Sequence, residues 1–179
     1  MTGEVTLSQL DKFKISNTIF SRLEDTSKTI SLLVPDEWVV GRTEKFPTIF
    51  VGPEIEGMRV NVGIAFTRLS RGNKLTVQLL GRQVLDFLQT SYNEFKLIEE
   101  QEIILDESRP GMLRTFGWKD MATGVDVIQI MLLVANGNTI YDITATLGKL
   151  GSAEQLPIIY SILKSIRFIR QPDEISVAD

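Results

Sequence analysis

The sequence predicts an α+β fold, a single antiparallel β-sheet of about six or seven strands packed with two principal helices. Two observations carry this expectation. Two segments repeat apolar residues at three- and four-residue steps, the period of an amphipathic helix. Most other apolar residues fall in short runs that alternate or end at turn dipeptides, the pattern of strands. Strands joined by such short turns cannot make the long crossovers of a parallel sheet, so the sheet is expected to be antiparallel.

Residues 1–12 are mixed and polar and read as a flexible N-terminal arm. A single domain is expected over residues 13–170. Ile30–Val34 is an apolar run stopped by Pro35-Asp36, followed by Trp38, Val39 and Val40. Phe46–Val51 is a second run, closed by Gly52-Pro53. Met58–Phe66 alternates most cleanly, with Val60, Val62, Ile64 and Phe66 on one face and Asn61, Gly63 and Ala65 on the other. The first helix is expected over Leu75–Tyr92, capped by Asn73 or Thr76.

Phe95–Leu105 reads as a strand despite Glu99, Glu100 and Glu102. Arg109-Pro110-Gly111 reads as a turn and Leu113–Trp118 as the next strand. Val125–Ala135 is apolar on both faces and belongs inside the sheet. Asn136-Gly137 suits the two central positions of a type I′ hairpin, which both need positive φ. Thr139–Leu147 then returns antiparallel. In the second helix Ser152-Ala153-Glu154-Gln155 has the form of a capping box, while Pro157 moves the expected regular start to about Leu156. Residues 171–179, with Asp173, Glu174 and Asp179, read as an acidic C-terminal tail.

The 179 residues, 43% hydrophobic and 23% charged, have ordinary globular composition. The chain contains no cysteine and no histidine. Disulfides, thiolate nucleophiles, imidazole acid–base catalysis and the usual transition-metal ligands are thereby excluded. No cofactor and no metal are expected. A net charge of −4 without a basic stripe argues against nucleic-acid binding. The longest strongly apolar run, Ile130–Ala135, is far too short to insert in a membrane as a helix. The first twenty residues hold no apolar stretch of signal-peptide type, so the expected location is cytoplasmic unless a leader has been removed.

Four groups of residues are candidates for function. Glu99, Glu100, Glu102, Asp106 and Glu107 offer carboxylates for a hard cation or for glycoside chemistry, but the simpler reading is a charged sheet edge that resists pairing. Arg68, Arg71 and Lys74, around Gly72-Asn73, form a basic loop suited to an acidic partner. Asn61, Gly63 and Ala65 leave a strand face of small side chains where a helix can approach closely, either the chain's own or a partner's. Trp38 and Trp118 are either core caps or interface anchors.

Five short motifs occur in a familiar serial order. Val34-Pro35-Asp36-Glu37-Trp38 resembles a "V-P-x-x-W" corner, and Asn61-Val62 falls on the strand after it. Gly117-Trp118 with Gly124 and Gln129 resembles a middle hairpin. Tyr141-Asp142-Ile143-Thr144-Ala145-Thr146 resembles a "Y-x-I/L-T-x-T" strand, and Ser165-Ile166-Arg167-Phe168 a terminal "S-F-R-F". Together they resemble the PsbP/DcrB-like family over residues 30–168. That family includes photosystem extrinsic subunits, a Ran-binding nuclear protein and chaperones encoded beside type VI secretion effectors. The resemblance implies a non-catalytic protein-binding adaptor or chaperone, or else an accessory subunit that stabilises a larger complex. A hydrolase working with carboxylates alone is a third alternative. The expected partner is another protein, such as an apolar helix of a client, with a homodimer also considered. Asn61, Gly63, Ala65, Arg68, Arg71, Lys74 and Trp118 are the partner-binding candidates.

Overall fold

A computed structural model describes residues 18–70, 72–106 and 108–169. The expected arm, the expected tail, Arg71 and Glu107 lie outside the described residues. The strands are β1 (Phe20–Glu24), β2 (Ile30–Pro35), β3 (Val39–Gly41), β4 (Thr48–Ile55) and β5 (Met58–Arg68). Helix α1 (Val77–Ser91) follows, then β6 (Lys96–Leu105), β7 (Arg109–Lys119), β8 (Asp126–Asn136) and β9 (Thr139–Gly148). Helix α2 (Ser152–Lys164) and β10 (Arg167–Phe168) complete the described chain.

The fold class is α+β, as expected, but the strands form two sheets rather than one. A seven-stranded antiparallel sheet runs β3-β4-β5-β9-β8-β7-β6, and a three-stranded sheet runs β1-β2-β10. The sequence reading had put β2 in the main sheet, because nothing local marks β1 or the two-residue β10 as its partners. Polar contacts close the turn of the small sheet and tie it to α2, while Ile30, Leu32 and Val34 hold it on the main core. The Asp25 carboxylate accepts the N–H groups of Thr29 at 2.6 Å and Ile30 at 2.9 Å, closing the β1–β2 turn. Ser165, just past α2, accepts the Leu33 N–H at 2.6 Å through its hydroxyl oxygen, tying the helix end to β2.

One face of the large sheet carries the main core. Val60, Val62, Ile64, Ile130, Leu132, Tyr141, Ile143 and Leu147 pack there against Ile30, Leu32 and Val34 of β2 and Ile159, Ile162 and Leu163 of α2. The other face carries a smaller cluster in which Val77 and Leu88 of α1 meet Met112, Phe116, Met131 and Leu133. Thr76 is the α1 cap: its hydroxyl oxygen accepts the Leu79 N–H at 3.1 Å. At Gly81 a side chain would meet the Met112 Sδ at 2.4 Å, so this glycine lets the helix lie close to β7.

Several local expectations are corrected. The β8–β9 turn is centred on Gly137-Asn138, because Asn136 pairs with Thr139. Of the two central residues only Gly137 has positive φ, at 59°, which fits a type II′ turn and not the expected type I′. Arg109-Pro110-Gly111 is the start of β7, not a turn. Pro110 is tolerated because β7 pairs only with β6 at that position, its ladder with β8 beginning at Gly111. Helix α2 starts at Ser152 behind an N-cap Gly151 that makes no side-chain bond, so no capping box forms and Pro157 lies inside the helix.

The segment from Trp38 to Phe46 clips over the edge of the sheet. Trp38 sits on one face against Gly52, where a Cβ would meet its ring at 2.4 Å. Phe46 sits on the opposite face against Gly63, where a Cβ would also meet a ring carbon at 2.4 Å. Both aromatic residues are buried, while Val39 to Lys45 between them are exposed. Gly63→Val should therefore evict Phe46 and destabilise the fold by about 1–3 kcal/mol. Adding Phe46→Ala should then cost much less than it does alone, a non-additivity that denaturant unfolding of the two single variants and the double variant would measure.

Candidate functional site

Four turns or loops gather at one end of the large sheet. They are the β4–β5 turn at Glu56-Gly57, the α1–β6 link, the β7–β8 loop from Asp120 and the link from β9 into α2. Two concavities open there. One, of about 550 Å³, is walled by Lys96, Leu97 and Ile98 of β6, Gly117 to Lys119 of β7 and Val127 and Ile128 of β8. The second, of about 480 Å³, lies between Ile55, Val125 and Leu150. Asp126 and Lys149 border both, so the two form one grooved surface. Each volume is within the range of pockets that hold organic groups or side chains.

The groove follows from local sequence. The β6–β7 register shifts between Leu97 and Glu99, and this bulge takes Ile98 out of the ladder, leaving it 54% exposed. Across from it Gly117 keeps the floor low. A Cβ there would be no nearer than 3.5 Å to the Val127 carbonyl and 3.9 Å to Ile98 Cδ1, so the space above is open. Trp118 also borders this concavity, and its ring stacks on Tyr92 with centroids 4.5 Å apart. Burial, and then the Asp142 charge, push the Tyr92 hydroxyl above its ordinary pKa. The rim holds Lys96, Lys119, Lys149, Glu94 and Asp126, and among the described residues none of these takes part in an ion pair.

Exposed apolar residues concentrate at this end. Of ten large exposed apolar side chains among the described residues, Leu97 and Ile98 line the first concavity and Leu150 the second. Met121, 66% exposed, stands in the loop between Lys119 and Gly124, which also line the grooves. None of these four is among the candidates that the sequence pattern offers. The available signal was an apolar residue standing alone in a turn, as Met121 and Leu150 do. Ile98 could not be found that way, since only the bulge exposes it.

The sequence-derived candidates are not brought together. Trp118 borders the groove. Asn61, Gly63 and Ala65 lie on the α1 side of β5, opposite Thr146, Thr144 and Asp142 of β9. The space over Gly63 is taken by Phe46 rather than by a helix. Arg68 ends β5 and, like Lys74 before α1, is exposed. Glu99, Glu100 and Glu102 lie on β6, which pairs only with β7 and is an outer edge of the sheet. Glu100 is held by Arg114, whose Nε and Nη2 reach its Oε2 at 2.7 and 2.6 Å. Among the described residues no three carboxylates converge as a cation site would require.

No family model matches the chain, and neither does any curated protein sequence. Solved structures do match. The cyanobacterial PsbP protein CyanoP from Synechocystis sp. PCC 6803 is similar at a TM-score of 0.63 and 12% identity, over 89% of this chain and 99% of that one. The fold is PsbP/DcrB-like. LpqN, involved in cell envelope biogenesis of Mycobacterium tuberculosis, is similar at a TM-score of 0.58 and 11% identity, over 93% and 99% of the two chains. The Saccharomyces cerevisiae Ran-binding protein Mog1p is similar at a TM-score of 0.52 and 10% identity, over 85% and 96%. Among the described residues no helix is long and apolar enough to cross a membrane.

Asp142 is a carboxyl on the α1 face of the PsbP-like sheet, in β9 opposite Ala65. Burial raises its pKa, against the opposing effects of the Thr144 hydroxyl, 2.6 Å away, and the Lys45 charge. With a raised folded pKa the native state binds the extra proton, so stability falls as pH rises from the ordinary carboxylate range through that value. Asp142→Asn should therefore melt higher than the parent at neutral pH. The gap should close at acid pH, where Asp142 is protonated, and paired thermal melts at the two pH values would show it.

Proposed function

We propose that this chain is a non-catalytic protein-binding adaptor or chaperone whose partner docks at the loop end of the sheet, in the groove beside Trp118. The observation that supports this reading is the concentration of exposed Leu97, Ile98, Met121 and Leu150 around two adjoining concavities. Scattered apolar residues on a surface need no explanation, but apolar residues gathered around a groove are typical of interaction sites. The groove is apolar at its floor and charged at its rim, the usual arrangement of a docking surface. The proposed ligand is an apolar segment of another protein, with the lysines and carboxylates of the rim setting orientation. The similarity to Mog1p, a Ran-binding protein, supports this reading.

The same reading goes with a cytoplasmic location and leaves the exposed Arg68 and Lys74 as a second contact at the far end of the sheet, whereas Gly63, between Asn61 and Ala65, lies beneath Phe46. Self-association, the other partner considered from sequence, uses a different surface and is treated below.

Gly117→Leu places a side chain in the groove, and Ile98→Asp puts a charge on its wall. Ile98 is exposed, so the second change should alter stability by no more than about 0.5 kcal/mol. Tagged parent protein should capture a discrete partner from its source cells. Both variants should lose that partner at least about tenfold while keeping the parent melting temperature, a loss of about 1.4 kcal/mol in binding. Equal capture of the same partner by parent and both variants would contradict this site.

A further inference from the structure

The two edges of the large sheet differ in kind. The β6 edge carries Glu99, Glu100 and Glu102 and a bulge, features that discourage another strand from adding. The β3 edge is protected by its shortness alone. Its three residues, Val39, Val40 and Gly41, pair with β4 on one side only and are all exposed, Val39 by 62% and Val40 by 53%. The strand holds no charge, proline or bulge. It is also held in place before any partner arrives, because Trp38 and Phe46 anchor the clip on opposite faces of the sheet. A pre-formed edge loses little further conformational freedom on pairing.

The flanks of β3 are charged with opposite signs. The turn before it, closed by the Trp38 N–H on the Pro35 carbonyl at 3.0 Å, presents Asp36 and Glu37. Arg42 follows directly after it. Among the described residues none of these three side chains makes an ion pair or a hydrogen bond. Such an edge complements itself when a second copy pairs antiparallel. A two-fold axis perpendicular to the sheet, near Val39, sets the valines of the two copies side by side. It also brings the acidic turn of each copy beside Arg42 of the other, twice per dimer. A parallel arrangement would set like charges together instead.

We propose that β3 is a self-association edge, through which two copies of this chain join their seven-stranded sheets into one continuous antiparallel sheet. The contact is short, so the dimer belongs to the weak, reversible class with less than about 1,200 Å² buried. It involves residues that border neither concavity and is independent of the protein-binding reading, so either can fail alone.

Sedimentation velocity of the full chain across the micromolar to millimolar range tests it. The parent should pass from monomer to dimer as concentration rises, and the transition should move to higher concentration with added salt. Val40→Lys should stay monomeric throughout, with an unchanged melting temperature because Val40 is exposed. Arg42→Glu should weaken association at least about tenfold. Combining it with Asp36→Lys and Glu37→Lys reverses both flanks and should restore association. A parent that is monomeric at every concentration overturns the proposal. So does a dimer that Val40→Lys leaves intact, or one lost in Arg42→Glu and not recovered on full charge reversal.

Discussion

The structure is governed by a covering constraint. A seven-stranded sheet with strands about 4.8 Å apart is about 30 Å wide, whereas a helix covers about 10 Å. Two helices cannot protect both faces of such a sheet, and β8 is apolar on both. On the main-core face α2 shares the work with the small sheet, which brings Ile30, Leu32 and Val34 down onto it. On the other face α1 covers β7 and β8, and Phe46 comes over the edge to fill the space above Gly63. Beyond Phe46 the β9 row on that face turns polar, with Asp142, Thr144 and Thr146, and so needs less apolar cover. Cover also runs out at the loop end, where four of the ten large exposed apolar residues among the described ones lie.

One buried charge fixes where α1 lies. Arg114 is 1% exposed on β7, beneath the helix. Its Nη2 donates to the Gly81 carbonyl at 2.8 Å, and its Nε and Nη2 meet Glu100 on β6. The bond to Gly81 reaches the helix backbone only because that residue has no side chain. Arg114 is buried while Glu100 lies at the exposed edge, so removing Glu100 alone would leave a buried guanidinium without its counter-charge, which makes the contact suited to setting the position of one element on another. With α1 fixed, Tyr92 just past its end stacks on Trp118, a residue that borders the groove. The fold and the candidate site thus share one chain of contacts, from Glu100 through Arg114 and α1 to Tyr92 and Trp118.

What was legible in the sequence follows from how local each feature is. The alternation of Met58–Phe66, the doubly apolar β8 and the Thr76 cap depend on neighbours in the chain, and the structure has them. The small sheet depends on β10 meeting β2 across more than 130 residues, and no pattern in Phe20–Glu24 announces it. The type of the β8–β9 turn depends on a register that puts Asn136 opposite Thr139, which residue types alone did not reveal. Gly63 was rightly seen as an invitation to close packing, but its occupant, Phe46, comes from a loop with no helical signal. For the groove, Trp118 was legible only as a core cap or an interface anchor. Ile98 and the open floor at Gly117 were not, since one needs a bulge and the other an empty space between three strands.

The central claim is that partners meet this protein at the loop end of the sheet and not on α1. The most direct measurement is site-specific photo-crosslinking in the source cells, with a photoreactive phenylalanine analogue placed in turn at Ile98, at Leu150 and at Phe87. All three positions are exposed, at 54%, 81% and 65%, but Phe87 is on the outer side of α1, away from the groove. The account predicts the same discrete adduct from positions 98 and 150 and none from 87. Adducts of equal yield from all three positions, or from 87 alone, would contradict it.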